Sequence, residues 1–239
     1  MISKIRALSA MIYIALIIPF CIGFMYIFQK SHRKIRKITA LFFVKLFNVK
    51  AKIIGKMDCE ARVLVMNHQS FMDVIYLEAT HSNDLCWIAK KELGKPFLYG
   101  HALKAPKMIL INRESKKELV HLLREAQDRL KDGRTLCIFP EGTRSRGEEK
   151  FLPFKSGAKV LVEHFGLKVQ PIVFCGTRKC LDIGAMSFNN TPFTIKYLPS
   201  FIPQGENWFE ELKEMMQKEY IELYKMNRGS MHNYAWKDC

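Results

Sequence analysis

Ala61-Arg62-Val63-Leu64-Val65-Met66, followed at once by Asn67-His68-Gln69-Ser70-Phe71-Met72-Asp73, is the stretch on which the reading of this chain turns. The first run is short, apolar and rich in β-branched residues, the pattern of a buried strand. The apolar content from Phe71 to Thr80 suits a helix packed on that strand. His68 therefore stands where a strand ends and a helix begins, with Asp73 five residues later. On a continuous helix five residues turn the chain by roughly 500°, which leaves two such side chains about 140° apart. With a turn at His68 and the helix starting near Ser70, Asp73 falls in the first turn and can point back at the imidazole. That is the arrangement of a base and its orienting carboxylate. The same residues also read as a capping box, Ser70-x-x-Asp73, with His68 merely adjacent. Spacing alone leaves both readings open.

Outward from this unit the chain keeps alternating. Candidate strands fall at 49–54, 62–66, 85–89, 108–111, 135–139, 169–174 and 193–198. The clearest helix covers 115–131, opening on a second capping box, Ser115-x-x-Glu118. It carries Leu119, Leu122, Leu123, Ala126 and Leu130 on one face and stops before Gly133. Further helices are expected over 156–165 and 208–224, the latter with Trp208, Leu212, Met215 and Leu223 at helical spacing. These stripes are core faces. The alternation predicts an α/β fold with a largely parallel central sheet flanked by helices.

The N-terminus is different. Residues 7–28 contain no charged side chain. As a helix, a run of that length reaches roughly 33 Å, enough for a hydrocarbon core of about 30 Å. It ends in Gln29-Lys30-Ser31-His32-Arg33-Lys34-Ile35-Arg36-Lys37, which is no cleavage site. Five basic residues there outnumber Lys4 and Arg6 before the run, which places the following domain on the cytoplasmic side and sets the basic run against anionic lipid. A second apolar segment, 38–49, has Lys45 as its only charge and is too short to span alone. Pro19 and Gly23 interrupt the first, so a helical pair lying in one leaflet is the alternative to a spanning helix. The expected organisation is 1–48 as membrane-associated helices, 49–226 as the α/β domain and 227–239 as a polar tail.

The formal net charge of +15 implies an anionic partner, nucleic acid or an anionic membrane surface. The basic residues cluster beside the apolar segment and around the candidate site, with no aromatic-interleaved RNA motif, so no nucleic acid is expected. Seven cysteines without CxxC or zinc spacing argue against a disulfide framework or a metal site.

Open α/β sheets place their sites beyond the carboxyl ends of strands. His68 follows 62–66, Asn112 and Arg113 follow 108–111, and Pro140-Glu141-Gly142-Thr143-Arg144-Ser145-Arg146-Gly147 follows 135–139. Three strand ends thus deliver a base candidate, a guanidinium, and a polar loop with two more. Arginine there suits phosphate, because its planar fork donates two parallel hydrogen bonds. Taken singly, each has a blander reading: a solvated basic turn for 140–147, a surface pair with Glu114 for Arg113.

Together with Lys91-Glu92-Leu93-x-x-Pro96-x-x-Gly100, Ile111-Asn112-Arg113, Phe139-Pro140-Glu141-Gly142-Thr143-Arg144-Ser145-Arg146 and Val169-x-Pro171-Ile172-Val173, the His68 stretch resembles the ordered motif blocks of the 1-acyl-glycerol-3-phosphate acyltransferases, over roughly residues 60–200. Leu152-Pro153-Phe154-Lys155-Ser156-Gly157-Ala158 is similar to the bacterial members. Two departures stand out: Lys107 occupies a position where the family usually has Gly, and Asn112 one where it often has Asp.

The resemblance implies transfer of an acyl group from acyl-CoA or acyl carrier protein to the sn-2 hydroxyl of lysophosphatidic acid. It casts His68 as general base and Asp73 as the group orienting it. Arg113 and Arg144 would hold the acceptor phosphate, while Glu141, Gly142 and Thr143 shape its pocket. Lys107, Arg146 and Lys155 are weaker candidates for phosphate contact, and Pro171 is structural. Neither metal nor organic cofactor is expected. Ser70 lacks a nucleophile-elbow context and Cys137 lies inside an apolar strand, so neither is read as a nucleophile. Within the same fold, glycerol-3-phosphate or another lysophospholipid is the alternative acceptor. A basic membrane-attached binding protein is the alternative of another class, and it leaves the His–Asp spacing unexplained.

Overall fold

The computed structural model describes residues 1–112, 117–145 and 147–234. Two helices open the chain, α1 (Ile2–Ile27) and α2 (His32–Leu46), followed by strands β1 (Ala51–Ile54) and β2 (Val63–Met66) and helix α3 (Phe71–Thr80). Next come β3 (Leu85–Lys90), α4 (Phe97–Lys104), β4 (Ile109–Ile111), α5 (Lys117–Lys131), β5 (Thr135–Ile138), α6 (Gly157–Phe165) and β6 (Val169–Cys175). The chain ends with the short α7 (Thr177–Cys180), β7 (Leu181–Asp182), β8 (Ser187–Phe188), β9 (Phe193–Tyr197) and α8 (Trp208–Tyr234). α8 passes straight through residue 227, where the polar tail was expected to begin. Ser115 of the expected second capping box lies outside the described residues; Glu118 accepts a hydrogen bond from the Asn112 amide.

Seven strands form one sheet in the order β1-β9-β6-β2-β5-β3-β4, and β7 pairs with β8 in a separate hairpin. All neighbours in the sheet run parallel except β6 and β9. β2, β5 and β6 are buried at every residue, so their apolar runs are continuous, as strands covered on both faces must be. Pro171 sits in one of these strands without breaking the ladder. Its carbonyl accepts from the Leu198 amide at 3.0 Å, so its nitrogen faces β9 just beyond the Ile172–Tyr197 pair, where the ladder ends.

Connection handedness sets the layers. The links β2→β3 and β3→β4 move across the sheet one way and β4→β5 and β5→β6 the other, so right-handed crossovers put α3 and α4 on one face and α5 and α6 on the opposite face. α1 packs on α2, α4 and β8, and α2 on α3, which extends the first layer. α8 joins the second, with Trp208 Nε1 donating to Glu163 of α6 at 2.9 Å.

The basic run at the start of α2 does not face outward as a block. Arg33 Nη1 pairs with Glu78 Oε2 at 3.2 Å, and Arg36 grips both Glu78 and Asp84. Trp87 Nε1 donates to the same Glu78 at 2.7 Å, and Arg134 Nε lies 3.2 Å from Asp84 Oδ2. Arg33, Arg36 and Lys37, whose Nζ donates to the His81 carbonyl at 3.4 Å, therefore dock α2 on the end of α3 and the start of β3, while Lys30 and Lys34 remain exposed. The expectation that the whole run meets lipid is corrected accordingly.

Candidate active site

β2 and β5 are neighbours whose outgoing connections leave toward opposite faces, so a crevice opens between their carboxyl ends. His68 follows β2 and the 140–145 loop follows β5, and the two meet there: the Ser145 amide donates to the His68 carbonyl at 2.7 Å.

The His68 turn is held residue by residue. Asn67 clamps β6 with both ends of its amide, Nδ2 to the Phe174 carbonyl at 2.9 Å and Oδ1 from the Phe174 amide at 2.7 Å. Gln69 Nε2 donates to the Tyr220 hydroxyl at 2.8 Å, while its Oε1 accepts from the Gly176 amide at 2.9 Å. Ser70 Oγ donates to the Leu181 carbonyl at 2.6 Å and accepts from the Met72 amide, capping α3.

The geometry of Asp73 accommodates both readings at once. Its Oδ2 lies 2.8 Å from His68 Nδ1 and also accepts from the amides of Gln69 at 2.8 Å and Ser70 at 2.9 Å. One carboxylate oxygen completes the capping box and orients the imidazole. Asp73 is wholly buried, while the His68 side chain is 13% exposed, enough to be reached from the crevice. The His68 ring stacks on Phe139, centroids 3.8 Å apart and planes within 15°, and Phe139 stacks in turn on Trp87. With Nδ1–H given to Asp73, Nε2 carries the lone pair of the neutral ring.

Glu141 acts on this turn through the backbone. One carboxylate oxygen accepts from the His68 amide and the other from the Leu152 amide, each at 3.0 Å. Burial pushes its carboxyl above the usual range, opposed by these two hydrogen bonds. Gly142 has φ 74°, a left-handed turn that favours glycine, and its amide donates back to Phe139. Thr143 and Arg144 are exposed on the loop. Arg113 and Arg146 lie outside the described residues. Lys155 is exposed, its amide donating to Pro140, and borders a separate cavity of about 120 Å³ behind Phe139.

Lys107 is not brought to the site. It precedes β4, at the opposite edge of the sheet from His68, where its carbonyl accepts from Arg129 and Arg134. Its φ is 53°. The usual glycine at this position thus answers a backbone demand, and the expected phosphate contact is withdrawn. Cys137 is buried in β5, and burial pushes its thiol well above its ordinary value, which suits an inert core residue.

A cavity of about 230 Å³ adjoins the His68 turn, lined among others by Phe71, Arg144, Arg178, Leu181 and Ile183. Arg178 and the β7–β8 hairpin were not anticipated from the sequence. Applying the strand-end rule to β6 as well would have led to Gly176-Thr177-Arg178.

Comparison with known proteins supplies the context for this geometry. Residues 50–175 match the model of the family described as Acyltransferase. The chain is 44% identical over 226 residues to a 1-acyl-sn-glycerol-3-phosphate acyltransferase of Helicobacter pylori (strain J99), covering 93% of this chain and 95% of that one. A lyso-ornithine lipid O-acyltransferase of Brucella abortus is 28% identical over 191 residues, covering 74% of this chain and 70% of the relative. The crystal structure of the 1-acyl-sn-glycerophosphate (LPA) acyltransferase PlsC from Thermotoga maritima aligns with a TM-score of 0.70 at 24% identity, over 92% of this chain and 98% of that one. That last likeness is one of fold. With the family match spanning His68, Asp73 and the 141–144 loop, and a relative aligned over nearly its whole length, this chain belongs to the Acyltransferase family.

Proposed function

We propose that this protein transfers a fatty acyl group from a thioester, acyl-CoA or acyl carrier protein, to the sn-2 hydroxyl of 1-acyl-sn-glycerol-3-phosphate, giving phosphatidic acid. The observation that carries this reading is the 2.8 Å contact between His68 Nδ1 and buried Asp73 at the crevice between β2 and β5. The Helicobacter relative supplies the substrate class.

An alcohol is a poor nucleophile near neutral pH. His68 Nε2 takes its proton as the oxygen attacks the thioester carbonyl, help typically worth about 10²–10⁴-fold. Asp73 fixes the tautomer and stabilises the imidazolium. The tetrahedral intermediate then expels the thiolate as the C–S bond breaks, and the imidazolium returns its proton to the sulfur. Thiolate leaves readily, so the reaction calls for no metal and no covalent enzyme intermediate. Arg144, with Arg113, holds the acceptor phosphate. Glu141 and Gly142 keep their loop in place against the His68 turn.

Membrane association fits the N-terminal helices. α1 is long and apolar enough to cross a bilayer. It is also tied along its length to α2, by Arg6 to the Phe47 carbonyl and Tyr13 to the Thr39 carbonyl, and to α4 by Tyr26 to His101. Its outer face exposes Leu8, Ile12, Leu16, Phe20 and Phe24 at a spacing of four, and α2 exposes Ile38, Phe42 and Leu46 likewise. Two docked helices that each expose an apolar stripe favour lying in one leaflet over spanning. The active domain then sits on the cytoplasmic side, where the acyl donors are.

The test is acyl transfer by detergent-purified protein from labelled acyl-CoA, and from acyl carrier protein, with wild type and His68→Ala. Lysophosphatidic acid, glycerol-3-phosphate and a lyso-ornithine lipid serve as acceptors. Phosphatidic acid formed by wild type alone supports the reading. Product only from another acceptor keeps the chemistry and changes the acceptor, and no transfer from either donor ends the proposal.

A further inference from the structure

We propose that Arg178 is a further guanidinium for the phosphate monoester of the acceptor, lining with Arg144 the cavity beside the His68 turn, and that the β7–β8 hairpin forms the specificity-determining wall of that cavity. This rests on the acyl-transfer reading above and extends it to a residue outside the family match, which stops at residue 175.

The placement follows from the sheet. β6 runs parallel to β2 as its neighbour, so the chain leaving β6 emerges on the same edge as His68. It is fastened there at two points by the residues that follow His68. Gln69 Oε1 accepts from the Gly176 amide, just before α7, and Ser70 Oγ donates to the Leu181 carbonyl, just after it. α7 and Arg178 thus move with the catalytic turn.

The side chain is aimed and only partly engaged. Arg178 Nε pairs with Asp182 Oδ2 at 2.8 Å, and its side chain is 36% exposed. Among the described residues its Nη groups have no hydrogen-bond partner, so the fork is oriented by one nitrogen and open at the other two. The cavity of about 230 Å³ that it borders is walled by Phe71, Arg144, Leu181, Ile183 and Gly184. Asp182, the one carboxylate among its described lining residues, is committed to Arg178. Two guanidiniums around one space suit a dianionic phosphate better than a zwitterionic headgroup.

Phosphate reaches this enzyme from two sources, the acceptor and the nucleotide part of acyl-CoA, and steady-state kinetics separates them. With acyl-CoA saturating, Arg178→Ala should raise the KM for lysophosphatidic acid roughly tenfold or more, the loss expected for charge-assisted hydrogen bonds, with kcat within about twofold. Arg178→Lys should recover part of it. With acceptor saturating, the KM for acyl-CoA should stay put. Asp182→Asn removes the charge of the tether but keeps an acceptor for Nε and the guanidinium itself, and its acceptor KM should shift by less than about threefold. An unchanged acceptor KM in Arg178→Ala overturns the proposal. So does a rise in the acyl-CoA KM instead, or an equal rise in Asp182→Asn, which would mean that Arg178 only braces the hairpin. A wild type that never acylates lysophosphatidic acid takes down the functional reading and this one with it; an active wild type with an indifferent Arg178→Ala takes down this one alone.

Discussion

At the edge where β2, β5 and β6 end, Arg144 and Arg178 border an open cavity whose lining carboxylate is a single aspartate. At the opposite edge, just before β3 and β5, Arg33, Arg36 and Arg134 close on Glu78 and Asp84. Both edges are rich in arginine, but one neutralises it internally, while the other pairs Arg178 with Asp182 through one nitrogen only and leaves Arg144 exposed on its loop. A net charge of +15 therefore names no partner until each cation has been matched with its carboxylates. The closed edge also explains how α2, and with it the apolar α1, is fixed to the domain.

The comparison breaks if changes at one edge are felt at the other. His68→Ala should give the largest effect, a fall in kcat of about 10²–10⁴-fold, with the melting temperature moving only a few degrees. A collapse of the fold on calorimetry would mean that the ring is a structural element of the turn. Glu78→Ala is the counterpart at the closed edge. It strips two arginines and the Trp87 indole of a buried partner, so we expect a loss of about 3–5 kcal/mol, seen in denaturant titration. Turnover per folded molecule should be unchanged.

The closed edge should also respond to acid. His81 is fully buried, accepts from the Asn83 amide through Nδ1, and is pushed down to about 4 by burial and by the cations of Arg33 and Lys37. His32 is likewise lowered to about 4, by burial above all and against the pull of Asp84. A histidine lowered on folding is held neutral, so the unfolded chain binds more protons once the pH drops below its usual 6.5. Stability should therefore be flat above that value and decline toward pH 4, by at most about 1.4 kcal/mol per pH unit per histidine. Urea midpoints across this range for wild type and His81→Gln measure the slope, which should be shallower in the variant. Parallel profiles would remove His81 from the account. The smallest effect belongs to Lys107→Gly, which relieves a left-handed residue and should add about 0.5–1 kcal/mol while leaving both KM values alone.

The central strands β2, β3, β5 and β6 were legible because each is largely apolar along its buried length, and the His–Asp pair because a turn between strand and helix brings residues five apart together. β7 and β8 were not, since two-residue strands have no periodicity to read. α4 was missed because it turns Phe97, 83% exposed, outward and so blurs its apolar pattern. The inward commitment of Arg33 and Arg36 depends on Glu78 and Asp84, more than forty residues away, and no local pattern carries that pairing. Lys107 was misplaced for a related reason: a departure from a motif was taken as chemistry when it marks a backbone angle.

Asp73 Oδ2 receives the His68 ring and the two amides that begin α3. The motif's spacing is therefore a capping distance as well as the one that brings the ring to the carboxylate. A molecule whose first helical turn has frayed has also lost the grip on its imidazole, so on the proposed mechanism a locally unwound copy would stay silent and would not become a careless hydrolase of its acyl donor. Specific activity would then be a direct gauge of one helix end, and conditions that loosen that turn should dim the enzyme well before the sheet gives way.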